Sequence, residues 1–460
     1  MNNIILKLVK SWKDTEGKVK TLPEILEWIK ALNTSTFVNV RECSIHESTF
    51  WFYDDYNGEV LNRKRGFFSI KGLRLFQNNI FIKEQPMIIQ PEIGYLGIIC
   101  KEIDGILHFL MQAKIEPGNI NCIQISPTIQ ATKSNFTRVH GGKMPQYFEY
   151  FENASKYHII YDQIQSEQSA RFYKKRNRNI IIEVTEEIVV ASNYCWMTLG
   201  QLKCLMRMDN LVNMDTRTVI SGLPFLHDVG FDDRGVESHF ADQALFRSMF
   251  CTNFLESLRE VRYYINDYRM FQDTKVTEIP LNELVDWKID EYGIECRKKA
   301  DFEVRYYDIT IEGREVHSWM QPLFKATGKA VFGLITCDMY AVKKFLVSTR
   351  QEIGTLDMIE IAPSVQIEVS DMSNALNTVE KLFFEYVKRK ETRVDVLLSE
   401  EGGRFYHEEN RNVIISIKED ELQKLPKGYF WLEYSALVHL MQTTQLLNIQ
   451  LRNLLSLLEL

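Results

Sequence analysis

Long apolar runs are missing from this chain. No stretch is long and apolar enough to cross a membrane, and the apolar part of MNNIILKLVKSWKD is too short for a signal peptide. Paired cysteine spacing is missing too. Cys43, Cys100, Cys122, Cys195, Cys204, Cys251, Cys296 and Cys337 include no Cys-x-x-Cys pair. That excludes the usual zinc sites and a disulfide framework, and a reducing cytoplasm is the expected location. Positive charge is not in excess: 55 Lys and Arg face 62 Asp and Glu, a net charge of −7. General nucleic-acid binding is therefore not expected, although a local basic pocket for a diphosphate remains open. Walker and GxGxxG phosphate loops and low-complexity tracts are absent as well. What is present is an ordinary globular balance, 460 residues with 45% hydrophobic and 25% charged. That length predicts two or three domains with cores that need no metal or disulfide staple.

An internal duplication stands out. Gln85-Pro86 recurs as Gln321-Pro322, Trp51 as Trp287 and Gly97 as Gly333, all at one offset. KIEPGNINCIQISPTIQ (114–130) aligns without a gap on RQEIGTLDMIEIAPSVQ (350–366). SEQSARFYKKRNRN (166–179) and SEEGGRFYHEENRN (399–412) agree at eight of fourteen positions. Trp196, Asn213 and Arg217 match Trp431, Asn448 and Arg452. The order is kept throughout, so each half reads as one domain, 1–225 and 226–460. The Gly- and Asp-rich stretch 226–245 reads as linker.

Residues 93–101 and 106–116 read as a hairpin turned at Asp104-Gly105. Extended segments follow at 122–126, 129–134 and 179–185. Helices are expected at 198–207, with Thr198 as N-cap, and at 213–222, and others lead into each half at 22–31 and 252–267. Strands in the middle and helices at the end of each half predict the α+β class.

Side chains alternate along a strand. In 106–116, Leu107, Phe109, Met111, Ala113 and Ile115 share one face. His108, Leu110, Gln112, Lys114 and Glu116 share the other. That second face is either half-solvated or the wall of a pocket. Pro117-Gly118-Asn119 turns the chain and puts Lys114 and Glu116 at a strand end. Gln130, Asn135, Thr137, Arg138 and His140 follow, then Gly141-Gly142-Lys143, either an ordinary basic loop or a diphosphate cradle. Arg171, Phe172, Tyr173, Asn177, Arg178 and Asn179 are shared by the two copies, which points to fold. Lys174, Lys175 and Arg176 are not shared and are open to a special role in the first half. His108, Gln112 and Lys114 give way to Lys344, Ser348 and Arg350, whereas Glu116 persists as Glu352. The first half carries the richer polar set and is the expected working site.

These runs, with GFFSIKGLRL, QPEIGYLGIICKEIDGILHFLMQAKIEPGN, SPTIQATKSNFTRVHGG and CWMTLGQLKCLMRMDNLVNMDTRTV, closely resemble the nucleoside-diphosphate-hexose 2,3-dehydratases. The resemblance spans nearly the whole chain, duplication included. It implies two tandem Nudix-like domains, the first with the active pocket and the second with a divergent one. It also implies a homodimer, and a substrate that is a thymidine- or uridine-diphosphate-linked 4-keto-6-deoxy sugar. The Nudix hydrolase box is absent, with Arg350-Gln351-Glu352 a poor echo, so metal-dependent diphosphate cleavage is not expected. The second half reads STRQEIG where the family commonly has a QAR-x-EPG-like run.

The implied chemistry is β-elimination. The C4 ketone acidifies the C3 hydrogen, and the C2 hydroxyl leaves. A base, an acid and donors to the C4 enolate oxygen are needed, but no redox cofactor and no metal. The product is a 3,4-diketo sugar suited to a following 3-ketoreductase. Under this reading Lys114 and Glu116 form the proton-transfer pair, in either order of roles. His108 is a third candidate for acid–base work or a satisfied core histidine. Gln112, Gln130 and Asn135 orient the sugar, and Arg138, His140 and Arg171 face the diphosphate. Asn119, Thr137, Tyr173 and Arg178 complete the expected substrate contacts. Phe67 or Trp196 either stacks on the base or packs in the core. The rival readings are a pyrophosphohydrolase, a non-catalytic nucleotide-sugar binder and a different elimination or isomerisation of the same sugar.

Overall fold

The duplication is written into two seven-stranded mixed sheets. The computed structural model describes residues 4–136, 144–226, 234–312 and 316–460. In the first large sheet the strands run in the order His158–Ser166, Arg176–Glu183, Gly94–Ile103, Ile106–Ile115 and Tyr194–Thr198. Ile123–Ser126 and Ile129–Ala131 add to its two central strands. The second large sheet repeats this with Val394–Ser399, Glu409–Ile417, Val331–Met339, Val342–Arg350 and Tyr429–Glu433. Even the register of the parallel pair is kept, since Tyr95 opposes Arg178 as Val331 opposes Arg411. The molecule is thus α+β, as the patterning predicts.

Local chemistry accounts for the elements that frame the site. Asp104 and Gly105, at φ 50° and 79°, close the expected hairpin with the left-handed backbone of a tight turn. Thr198 and Gln201 form a reciprocal capping box at the start of helix Leu199–Met206. Asn213 caps helix Met214–Ser221 by accepting from the Thr216 amide at 2.9 Å. Leu107, Phe109, Met111 and Ala113 face one core, with Leu202 and Val219. Leu110 faces another, with Ile99, Phe151 and Trp196. The polar face of this strand is therefore covered over much of its length, not solvated.

The two halves are laced together twice. Val38–Glu42 pairs with Phe302–Ile311 in the small sheet of the second half, and Thr274–Ile279 pairs with Ser69–Gln77 in that of the first. These two strands are equivalent in the repeat, so the halves exchange their leading strands. The second lacing joins the turns after the central hairpins. The Gly118 amide donates to Gly402 O at 2.8 Å and the His407 amide donates to Gly118 O at 2.8 Å. In the mirror contact the Gly354 amide donates to Ser169 O at 2.9 Å and the Lys174 amide donates to Gly354 O at 2.9 Å. The Arg-Phe-Tyr run shared by both copies sits in these reciprocal turns.

The stretch expected as linker is partly structured. Helices Arg234–Glu237 and Gln243–Met249 lie within or just beyond it, and Val236, Phe240, Leu245 and Phe246 are buried in the main core. Its glycines and aspartates disguise a sparse apolar set that the core captures.

Candidate active site

Strand Ile106–Ile115 ends at a cavity of about 600 Å³, a size suited to a nucleotide sugar. Glu116 is buried in its wall. The carboxylate accepts from Gln130 Nε2 at 3.2 Å and faces Lys114 Nζ at 3.4 Å. Lys114 Nζ also donates to Gln130 O at 3.2 Å. Gln130 Oε1 in turn accepts from Ser126 Oγ at 3.0 Å and Asn213 Nδ2 at 3.1 Å. Each rotamer is thus fixed by the next residue, which is what a preorganised acid–base site needs.

More ionisable groups line the same wall. Asp215 stands in the first turn of the helix that Asn213 caps, and Glu167 and Lys175 come from the turn before strand Arg176–Glu183. Glu401, Gly403 and Arg404 reach in from the second half. Burial pushes the Asp215 carboxyl well above its ordinary range, and Glu167, Glu401 and Glu116 add to the push. Burial also raises Glu167 and carries Glu401 up to about 7, the latter helped by Glu116. Burial lowers Lys175 to about 8. Such crowding marks a site where protons are shared and moved.

Aromatic and basic groups also line the cavity, among them Phe50, Trp51, Lys64, Phe67 and Trp319. Arg404 of the lining lies 4.6 Å and 4.5 Å from the ring centres of Phe67 and Phe68. Among the described residues, no group of three or more His, Cys, Asp and Glu is placed to hold a metal ion.

Of the expected site residues, Lys114, Glu116, Gln130 and Asn135 meet in this cavity. Phe67 lines it, whereas Trp196 is packed in the core. His108 is wholly buried elsewhere. Its Nδ1 sits 2.9 Å from Ile106 O and its Nε2 accepts from the Lys18 amide at 3.2 Å, so both nitrogens are engaged. Gln112 lies within the sheet, opposite Tyr194 and Ser126. Asn119 braces its own turn by donating to Cys122 O at 2.8 Å. Arg171 points into the second half, 3.4 Å from Glu408 and 4.5 Å from the Phe302 ring. Tyr173 packs near Leu73, Met87 and Ile353, and Arg178 is paired with Asp162 at 2.5 Å. Thr137, Arg138 and His140 lie outside the described residues. Sequence reasoning missed Glu167, Asp215, Glu401 and Arg404. The difference between Lys175 and Glu408 did flag one cavity residue.

The second half repeats the framework without the room. Gln366 Nε2 donates to Glu352 at 2.9 Å, Asn448 Nδ2 donates to Gln366 at 2.8 Å and Arg350 donates to Gln366 O at 2.8 Å. The space by Trp287 and Gln85, equivalents of Trp51 and Gln321, is only about 200 Å³. There Asp301 holds Lys83 at 3.3 Å and accepts from the Ser370 amide at 2.7 Å.

A duplicated α+β scaffold with a roomy pocket, rigid hydrogen-bonded carboxylates and a lysine defines an acid–base enzyme for a polar ligand. The NDP-hexose 2,3-dehydratase family model matches residues 22–223 and again 258–458. Three curated relatives bear the name dTDP-4-dehydro-6-deoxy-alpha-D-glucopyranose 2,3-dehydratase. The one from Saccharopolyspora spinosa is 38% identical over 88% of this chain and 84% of its own. The one from Streptomyces violaceoruber is 34% identical over 93% and 95%, and the one from Amycolatopsis orientalis 32% over 98% and 93%. The chain belongs to the NDP-hexose 2,3-dehydratase family, and is a carbon–oxygen lyase of nucleotide sugars.

Proposed function

We propose that this enzyme removes water across C2–C3 of thymidine-diphosphate-linked 4-keto-6-deoxyglucose, with Lys114 and Glu116 as the proton-transfer pair. The observation that carries the assignment is the Lys114–Glu116–Gln130–Asn213 network at the cavity wall. The pair takes the C3 hydrogen, which the C4 ketone acidifies, and Gln130 and Asn135 orient the sugar. The aromatic side chains of the lining accept the base, and Lys64, an exposed cation of the same lining, faces the diphosphate. The product is a 3,4-diketo-2,6-dideoxy sugar, ready for a 3-ketoreductase. We read each half as Nudix-like on the strength of the sequence resemblance, and the enzyme as a cytoplasmic homodimer on the same ground.

The direct test is turnover of that substrate by purified enzyme in EDTA, followed by NMR. Wild type is expected to release the diketo product. Lys114→Ala and Glu116→Gln are expected to lose about 100-fold or more in kcat, the scale of positioned proton transfer. Full turnover in both variants would overturn the assignment. Release of nucleoside monophosphate would favour a hydrolase, and tight binding without product a non-catalytic role.

A further inference from the structure

Elimination needs two proton-transfer events, and the Lys114–Glu116 pair answers for the one at C3. The repeat supplies an internal comparison for the other. Both copies keep the carboxylate, the amide and the cap: Glu116 and Glu352, Gln130 and Gln366, Asn213 and Asn448. Four wall groups able to exchange protons are not kept, among them Lys175, with Glu408 in its place. Arg350 stands where Lys114 does, and Gln450 where Asp215 does. Gln168 of the first half is the equivalent of Glu401. The roomy pocket thus holds a carboxyl from the second half at a position where the first half has an amide.

Glu401 is also aimed correctly. A methyl group built on Gly403 would lie 2.3 Å from Glu401 Oε1 and 3.3 Å from Glu116 Oε1. The two carboxyls therefore flank one point at the cavity wall. Glu116 is held by Lys114 and Gln130, whereas Glu401 Oε1 accepts only from the Gly403 amide among the described hydrogen bonds, at 3.0 Å.

We propose that Glu401, supplied by the second half, is the acid that protonates the departing C2 hydroxyl. The inference rests on the elimination assigned above. The Lys114–Glu116 pair removes the C3 hydrogen as a proton, and the C–H electrons become the enolate double bond to C4. That pair of electrons then forms C2=C3 while C2–O breaks. The leaving oxygen takes the Glu401 proton and departs as water. When the enol becomes the 3,4-diketone, C2 regains a proton from the Lys114–Glu116 pair. The C3 hydroxyl releases the one that restores Glu401.

A leaving group that needs no proton separates the two roles. Glu401→Gln is tested against the natural 2-hydroxy substrate and its 2-deoxy-2-fluoro analogue, with exchange of the C3 hydrogen followed in D₂O by NMR. The variant is expected to lose about 100-fold or more in water elimination, yet to keep fluoride loss and C3 exchange. Lys114→Ala is expected to lose all three, and its failure to do so would strike the base assignment alone. The wild-type rate is expected to fall as pH rises through about 7, where Glu401 ionises, and this limb should vanish in the variant. Asp215→Asn and Glu401→Asp serve as comparisons, with thymidine diphosphate binding as a check on folding. Water elimination at the wild-type rate in Glu401→Gln would overturn the proposal. So would loss of fluoride release together with C3 exchange, or a unique loss of water elimination in Asp215→Asn.

Discussion

Gly403 lies between the two carboxyls that face the cavity. Its backbone is not in the left-handed region, so alanine is conformationally acceptable there, but the added methyl must displace Glu401. Gly403→Ala is expected to leave the melting temperature almost unchanged and to lower kcat by about 100-fold, the cost of misplacing a reacting group by an ångström. Steady-state kinetics and thermal melts decide this together. A second residue speaks to stability. Burial lowers the Lys203 ammonium to about 7, although its Nζ reaches Ser456 O at 2.5 Å and lies 4.2 Å from the Trp12 ring. A lysine depressed when folded makes the unfolded chain bind more protons between about pH 7 and 10.5, so its penalty is full below pH 7 and fades as pH rises. Lys203→Met is expected to stabilise the fold by a few kcal/mol at pH 7, at about 1.4 kcal/mol per pKa unit, and by little above pH 10. Urea titrations at both pH values measure it. At this scale the sequence was partly legible. Lys114 and Glu116 lie at one strand end and Gln130 on the short strand Ile129–Ala131 that soon follows, so alternation and spacing exposed them. Asp215 and Glu401 reach the site only through tertiary folding, from a helix cap and from the opposite half.

The elements were more legible than the site, because their signals are local. Asp104-Gly105 demanded a tight turn, Thr198 and Asn213 announced helix starts, and period-two alternation marked the strand between 106 and 116. His108 shows the limit of that reasoning. Alternation gave it the same parity as Lys114, but the N-terminal segment covers its end of the strand and satisfies its ring. Part of what the two copies retain marked fold instead of chemistry: Gly118 and Gly354, with the turns around the two Arg-Phe-Tyr runs, are the two sides of the reciprocal contacts. Their closeness leaves no room for a side chain. A Cβ on Gly118 would stand 1.7 Å from Phe405 O, and one on Gly354 would stand 2.0 Å from Phe172 O. Both obstacles are backbone, which cannot swing aside. Gly118→Ala and Gly354→Ala are each expected to cost about 3 kcal/mol or more, at or beyond the upper end of overpacking penalties. The shift in the denaturant midpoint reads this out. Equal losses at both positions would show that the interlock bears equally on the two halves, although only one encloses a roomy pocket.

At the level of the whole molecule, duplication and strand exchange make each half incomplete alone. Residues 1–225 carry Val38–Glu42, whose partner strand lies in the second half, and lack Thr274–Ile279, which covers their own sheet edge. They also lack Glu401 and Arg404, so their pocket would open to water on the side where its acid now stands. An uncovered edge strand invites association with other chains. Residues 1–225 expressed alone are therefore expected to aggregate or to remain poorly folded, without dehydratase activity. Residues 226–460 carry the complementary strand and the missing wall. Co-expressed from separate reading frames, the two pieces are expected to co-purify and to recover activity, since buried sheet pairings and the reciprocal turns hold them without the peptide link. Size-exclusion chromatography and turnover of the two-piece enzyme test this. A monomeric, active 1–225 fragment would refute the composite pocket and, with it, the assignment of any proton transfer to Glu401.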